Sequence, residues 1–328
     1  MKILILDHSQ VTHLLPIKDC IPLMRDALIA MAAGKAYQPL RTIIRAPDAK
    51  GVMGLMPAYM SGDSAAFGLK AICVFPENPA RGKDAHQGAV LLFSGETGEL
   101  LAMMNASAIT ANRTAAVSGV ATDLLARADA CNLAILGSGV QARSHLIAMS
   151  HVRALARCRI ASRNIEHAQR FAEEMRQHLS FPIEPVATIA AALEGADLIV
   201  TATNAKEPIV KREWITDGAH LNLVGACTPN SREANSMTIA AASLFVDSRE
   251  SALSEAGDYI LAAADGLVGP HHIRAELGEV LQGDETGRKS PEEITIFKSL
   301  GIAIEDLFAA EYLYRKAQES NVGTWVEY

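Results

Sequence analysis

Apolar residues in the first third of the chain recur with two different periods. Ile17, Ile21, Met24, Leu28 and Met31 lie three to four apart and stop before Gly34, which predicts an amphipathic helix ended by glycine. Pro22 fits that helix only in its first turn, where backbone N–H groups have no partner to lose. Apolar runs at Thr42–Ile44, Leu69–Phe75 and Ala89–Phe93 predict strands. The last meets Leu100–Met104 across Ser94-Gly95-Glu96-Thr97-Gly98, a turn-rich loop short enough to make the pair antiparallel. Lys2–Leu6, followed at once by Asp7, reads as a first strand rather than a targeting segment. Together these elements predict an α+β layer.

After Ser107 the rhythm changes. An Ala-rich helix to about Arg127 leads into the apolar strand Asn132-Leu133-Ala134-Ile135-Leu136. Predicted strands at Cys158–Ala161, Ile183–Val186, Asp197–Thr201, His220–Val224 and Leu244–Val246 then alternate with helical stretches such as Ile165–His178 and Ile189–Leu193. Such alternation implies parallel strands joined by crossovers. Between the first of these strands and its helix stands Gly137-Ser138-Gly139-Val140-Gln141-Ala142. In a GxGxxA loop the first glycine permits the tight turn and the second lets backbone approach a pyrophosphate. The small third residue allows close helix–strand packing, and the helix N-terminus offers N–H groups to the anion. The predicted fold class is therefore α/β, a Rossmann-type doubly wound parallel sheet over residues 116–294. The α+β domain would comprise residues 1–115 and 295–328. Pro291 is expected to open a long amphipathic helix, to about Ala317, that packs back on that domain.

Composition narrows the function. Thirty Lys and Arg against 37 Asp and Glu, with no basic run, argue against nucleic acid as a partner. No apolar run approaches the ~20 residues that span a bilayer. Five scattered cysteines, none in a CxxC pair, indicate neither a disulfide framework nor a metal site and suit a reducing cytoplasm. After the second parallel strand the chain reads Ser162-Arg163-Asn164, with no carboxylate for a ribose hydroxyl. A hydroxyl and a guanidinium suit a 2′-phosphate, so NADP(H) is expected in preference to NAD(H), which remains possible.

The chain as a whole resembles the ornithine cyclodeaminase/μ-crystallin family. The resemblance is carried by Met56-Pro57-Ala58-Tyr59, Gly68-Leu69-Lys70, Ile109-Thr110-Ala111-Asn112-Arg113-Thr114-Ala115-Ala116, the Gly137 loop, Glu276-Leu277-Gly278-Glu279-Val280, and Phe297-Lys298-Ser299-Leu300-Gly301 leading to Glu305-Asp306. It implies a homodimer, an N-terminal domain for substrate binding and dimerisation, and hydride chemistry on amino or imino acids at the interdomain cleft. By motif, Arg41, Lys70 and Arg113 would hold the substrate carboxylate. Two guanidinium forks and an ammonium match that anion, and none is expected to lie buried without one. Thr114, Thr203 and Ser299 would join Gly137, Ser138, Gly139, Val140, Gln141, Ser162, Arg163 and Asn164 around the cofactor.

One position departs from the cyclodeaminases and the family's alanine dehydrogenases. Where they carry an aspartate after the strand ending at Val224, this chain has Cys227, and a neutral thiol does not replace a carboxylate base. The ketimine reductases of the family resemble the chain better. The implied reaction is therefore reduction of the C=N of a small cyclic imino acid, such as pyrroline- or piperideine-2-carboxylate, to the L-amino acid. Lys70 is the first candidate proton donor and His86 the second. The alternatives are an open-chain dehydrogenase of the alanine or aspartate type, an ornithine cyclodeaminase, and an NADPH-binding protein without catalysis.

Overall fold

The computed structural model describes residues 2–328. In chain order the elements are β1 (Lys2–Leu6), α1 (His8–Leu14), α2 (Ile17–Ala32), β2 (Ala36–Tyr37), β3 (Thr42–Ile44), β4 (Val52–Met60) and β5 (Ala66–Val74). Next come β6 (His86–Ser94), β7 (Leu100–Asn105), α3 (Ala106–Leu125), β8 (Asn132–Leu136), α4 (Val140–Val152), β9 (Arg157–Ala161), α5 (Ile165–Met175), β10 (Ile183–Pro185) and α6 (Ile189–Leu193). Then follow β11 (Leu198–Thr201), β12 (His220–Leu223), α7 (Ser236–Ala240), β13 (Ser243–Val246), α8 (Arg249–Glu255), α9 (Gly257–Ala264), β14 (Ile273–Glu276) and α10 (Leu277–Gln282). The chain ends with β15 (Thr295–Lys298), α11 (Ala303–Ser320) and β16 (Thr324–Glu327). Two compact units result: one runs to Thr114 and resumes at Gly301, the other is Ala115–Leu300.

The first unit is built on a mixed sheet in the order β16-β1-β7-β6-β5-β4-β2, with β3 also paired to β4. The β6–β7 pair is the antiparallel hairpin that its short loop requires. Along β4 and β5 every second side chain is buried, the two-residue period of a sheet with one covered face. The cover is α11, packed on β4, β5, β6 and α2. Pro22 lies beyond the first turn of α2, contrary to expectation, because the helix begins at Ile17.

The second unit carries a parallel sheet in the order β10-β9-β8-β11-β12-β15-β13-β14. Strand order reverses between β8 and β11, which creates the crevice where doubly wound sheets bind ligands. Its central strands are short continuous apolar runs because helices cover both faces. The stretch after Pro291 corrects the expected long helix. Thr295–Lys298 is instead a fully buried strand between β12 and β13, and the helix opens only at Ala303. A buried parallel strand is apolar on both faces, so its pattern merges with that of the helix behind it. Gly301, at φ +73°, makes the break.

Candidate active site

In the first unit, alternation along β5 turns Lys70 to the face beneath α11, where it is 2% exposed. Its Nζ lies 2.7 Å from Asp306 Oδ2. Arg113 reaches the same place from α3. Its Nη1 donates to Glu305 Oε2 at 2.5 Å and its Nε to Asp306 Oδ1 at 3.2 Å. A side chain at position 301 would collide with the Arg113 guanidinium, so Gly301 serves close approach as well as the turn. The α11 N-terminus is fixed by Ile304 N–H donating to Gln38 Oε1 at 2.8 Å.

This geometry corrects one expectation. Lys70 and Arg113 were expected to await the substrate as their anion, yet Asp306 and Glu305 already balance them inside the unit. Half-buried Arg41 adds a third cation, close enough to press on the charge of Lys70. Three cationic side chains thus lie near one another, and Lys70 and Arg113 are paired with Asp306 and Glu305. Burial lowers the Lys70 pKa to about 8; Arg113 and Arg41 push the same way and Asp306 opposes them. His86 is the first residue of β6. Although solvent reaches it, surrounding protein and the charges of Lys70 and Arg113 hold its imidazole below the usual range.

In the second unit the glycine loop joins β8 to α4. Gly137 adopts φ +116°, and a Cβ there would strike the Ala202 carbonyl. Around Gly139 a Cβ would meet no atom within 4 Å, and no side chain caps the N-terminus of α4. Gln141 Oε1 is buried there without a hydrogen-bond partner. Open space, uncapped N–H groups and an unsatisfied amide oxygen fit a dinucleotide. Ser138 and Ser162 bring their hydroxyls within 3.1 Å, which ties the loop to the end of β9. Arg163 is exposed and makes no ion pair among the described residues, whereas the Asn164 side chain is spent capping α5. Thr203 abuts Gly137, Thr114 is buried in α3, and Ser299 is buried beyond β15.

A buried charged group in this unit was not foreseen. Glu233 accepts from Thr201 Oγ1 at 2.6 Å, Thr203 N–H at 2.9 Å, Thr203 Oγ1 at 2.7 Å and Gly225 N–H at 2.7 Å, clasping the ends of β11 and β12 together. Burial pushes its carboxyl pKa up. Beside it Lys298 Nζ lies 3.1 Å from Asp258 Oδ2. Burial is the largest influence and opposes the Lys298 charge, but Asp258, Cys227 and Glu233 together outweigh it and leave that ammonium above its ordinary pKa. A lysine closing the apolar run Thr295-Ile296-Phe297 is a readable signal, because a buried ammonium requires an acid. Nothing in the run Ser231-Arg232-Glu233 singles out the glutamate. Cys227 donates weakly to Val224 O at 3.4 Å.

A switch-point crevice with its glycine loop, in a chain whose other unit bears a cationic cluster, defines the class of NAD(P)-dependent oxidoreductases. More narrowly, the chain belongs to the ornithine cyclodeaminase/mu-crystallin family, whose model matches residues 1–321. It is 37% identical over 326 residues to a Δ1-pyrroline-2-carboxylate reductase of Bacillus cereus, covering 99% of this chain and all of the relative. It is 39% identical over 311 residues to the ketimine reductase mu-crystallin of Mus musculus, covering 94% and 93%. The structure of Thermococcus litoralis Δ1-pyrroline-2-carboxylate reductase, in complex with NADH and L-proline, matches with a TM-score of 0.95. Its sequence is 41% identical, over 98% of this chain and 99% of that one.

Proposed function

We propose that the protein is an NAD(P)H-dependent reductase of small cyclic imino acids, with pyrroline-2-carboxylate and piperideine-2-carboxylate as the substrate class. The observation that carries this reading is the buried Lys70–Arg113–Asp306–Glu305 cluster, with the Arg41 guanidinium close enough to act on Lys70. Arg41 and Arg113 orient the substrate carboxylate, and Lys70 gives a proton to the imine nitrogen, which makes the C=N carbon the better electrophile. The bound dinucleotide supplies the hydride for that carbon. Cys227 in place of a carboxylate disfavours amine deprotonation and hence cyclodeamination. The test is NADPH and NADH oxidation with pyrroline-2-carboxylate, pyruvate plus ammonia, and ornithine. Turnover with the cyclic imine at least about tenfold above the others is expected; proline from ornithine without net cofactor oxidation would overturn the reading.

Within that reading we assign NADPH as the preferred donor, on Ser162 and the exposed Arg163 at the end of β9. A charge-assisted hydrogen bond contributes about 1.5–3 kcal/mol, so Arg163→Ala costs NADPH roughly tenfold or more in kcat/KM and leaves NADH nearly unchanged. Equal loss with both cofactors would refute the assignment. None of the cysteines forms a disulfide, which favours a reducing compartment such as the cytoplasm.

We also propose a homodimer. The sheet face opposite α11 is apolar and open: the Phe67 ring packs at a tilt against Tyr59, centroids 4.7 Å apart, and Phe67 pairs across strands with Phe93, while Leu91 pairs with Leu69 and exposed Met103. An apolar sheet face of this kind calls for a protein partner, and a second copy meets it with the same residues. Light scattering is expected to give twice the chain mass of 35.0 kDa for the native protein and to fall toward it for Phe67→Asp. A native monomer would exclude the dimer.

A further inference from the structure

Resting on the reductase reading, we propose that Asp306 is a positioning residue for catalysis, holding Lys70 as the ammonium that protonates the imine nitrogen. Lys70 is faced by Arg113 from α3, by Asp306 and, through Arg113, Glu305 from α11, by Arg41 ahead of β3, and by His86 from β6. Burial and both arginines favour the neutral amine. Asp306 opposes them at 2.7 Å, and no other carboxylate pairs with Lys70 among the described residues. Its second oxygen takes the Arg113 Nε, so one carboxylate fixes the angle between ammonium and guanidinium. Asp306 also lies in the first turn of the 18-residue helix α11, where backbone N–H groups favour negative charge. In the proton step a Lys70 Nζ–H bond breaks as an N–H bond forms at the imine, and Lys70 recovers its proton from solvent water after product leaves.

Asp306 therefore acts on the proton and Glu305 on the guanidinium, although the two are neighbours with comparable burial. The experiment is the pH profile of kcat/KM for pyrroline-2-carboxylate. In the native enzyme the rate declines above about pH 8 as Lys70 loses its proton. Asp306→Asn keeps the shape but drops the charge, and the decline moves to lower pH by about one unit. Glu305→Gln, the matched control, moves it less than half as far. Coincident native and Asp306→Asn profiles, or equal shifts in the two variants, overturn the proposal. If Asp306→Asn does not fold, Asp306→Glu decides: its longer arm displaces Nζ, so kcat falls about tenfold while the decline stays in place. Unchanged kcat overturns the proposal. Failure of the underlying reading looks different, since the native enzyme then shows no turnover of the imine at any pH.

Discussion

Replacing Lys70 with methionine lowers kcat/KM for the cyclic imine about a hundredfold to ten-thousandfold, the range a positioned proton donor supplies. Methionine has similar length and suits a buried position, so packing beneath α11 persists while the proton is gone. Asp306 then keeps Arg113 as its one cationic partner. Breaking a buried pair costs about 3–5 kcal/mol when a charge is stranded, and the surviving contact places this case at the lower end. That loss is smaller than the ~5–15 kcal/mol that holds a domain, so the variant is assayed folded. Dinucleotide affinity, read by quenching of cofactor fluorescence, stays within about threefold of native because the glycine loop belongs to the other unit. The pH profile supplies the sign: a proton donor is active when protonated, so native activity is full below the Lys70 pKa of about 8 and is lost above it. The variant loses that limb. A Lys70→Met enzyme within threefold of native kcat/KM would remove Lys70 from the chemistry and hand the proton to His86, whose imidazole burial and neighbouring cations hold low.

The parallel sheet was legible because its strands are bounded by clear punctuation. Asn132–Leu136 runs straight into Gly137, and the loop motif has meaning only in that strand-to-helix context. β15 was not legible, because a strand with no polar face has no period of its own and merged with the helix after it. The cationic residues of the first unit were visible one at a time, but their acids were not. Glu305 stands 192 positions from Arg113 and Asp306 lies farther still from Lys70, and only the fold of α11 onto β5 unites them. Glu233 shows the same difficulty in stronger form, since every hydrogen bond that defines it comes from a strand end elsewhere in the chain. Local pattern reveals an element and its faces. Charge compensation between distant elements follows from packing, so a buried lysine or arginine is best read as a demand for an acid whose address the sequence conceals.

Gly137→Val abolishes dinucleotide binding, with affinity for NADPH and NADH reduced at least about a hundredfold. Two independent penalties act at this position. The backbone angle of +116° is one that a β-branched residue scarcely adopts, and the new Cβ would run into the Ala202 carbonyl at the end of β11. The obstacle is the Ala202 backbone rather than a flexible side chain, so relief requires the turn between β8 and α4 to move, and that turn aims the helix N–H groups at the pyrophosphate. Strain of this kind costs about 1–3 kcal/mol at one residue, too little alone to unfold a sheet whose central strands are fully buried. Far-ultraviolet circular dichroism should therefore stay native while cofactor fluorescence reports no binding. Gly139→Ala separates loop geometry from ligand contact. Its Cβ meets nothing within 4 Å and its φ of −88° is ordinary, so the protein accepts alanine without strain. Any loss of affinity there must come from crowding the dinucleotide itself. A weakened but folded Gly139→Ala protein identifies the open space above α4 as the pyrophosphate seat; native affinity in that variant would mean the dinucleotide lies elsewhere.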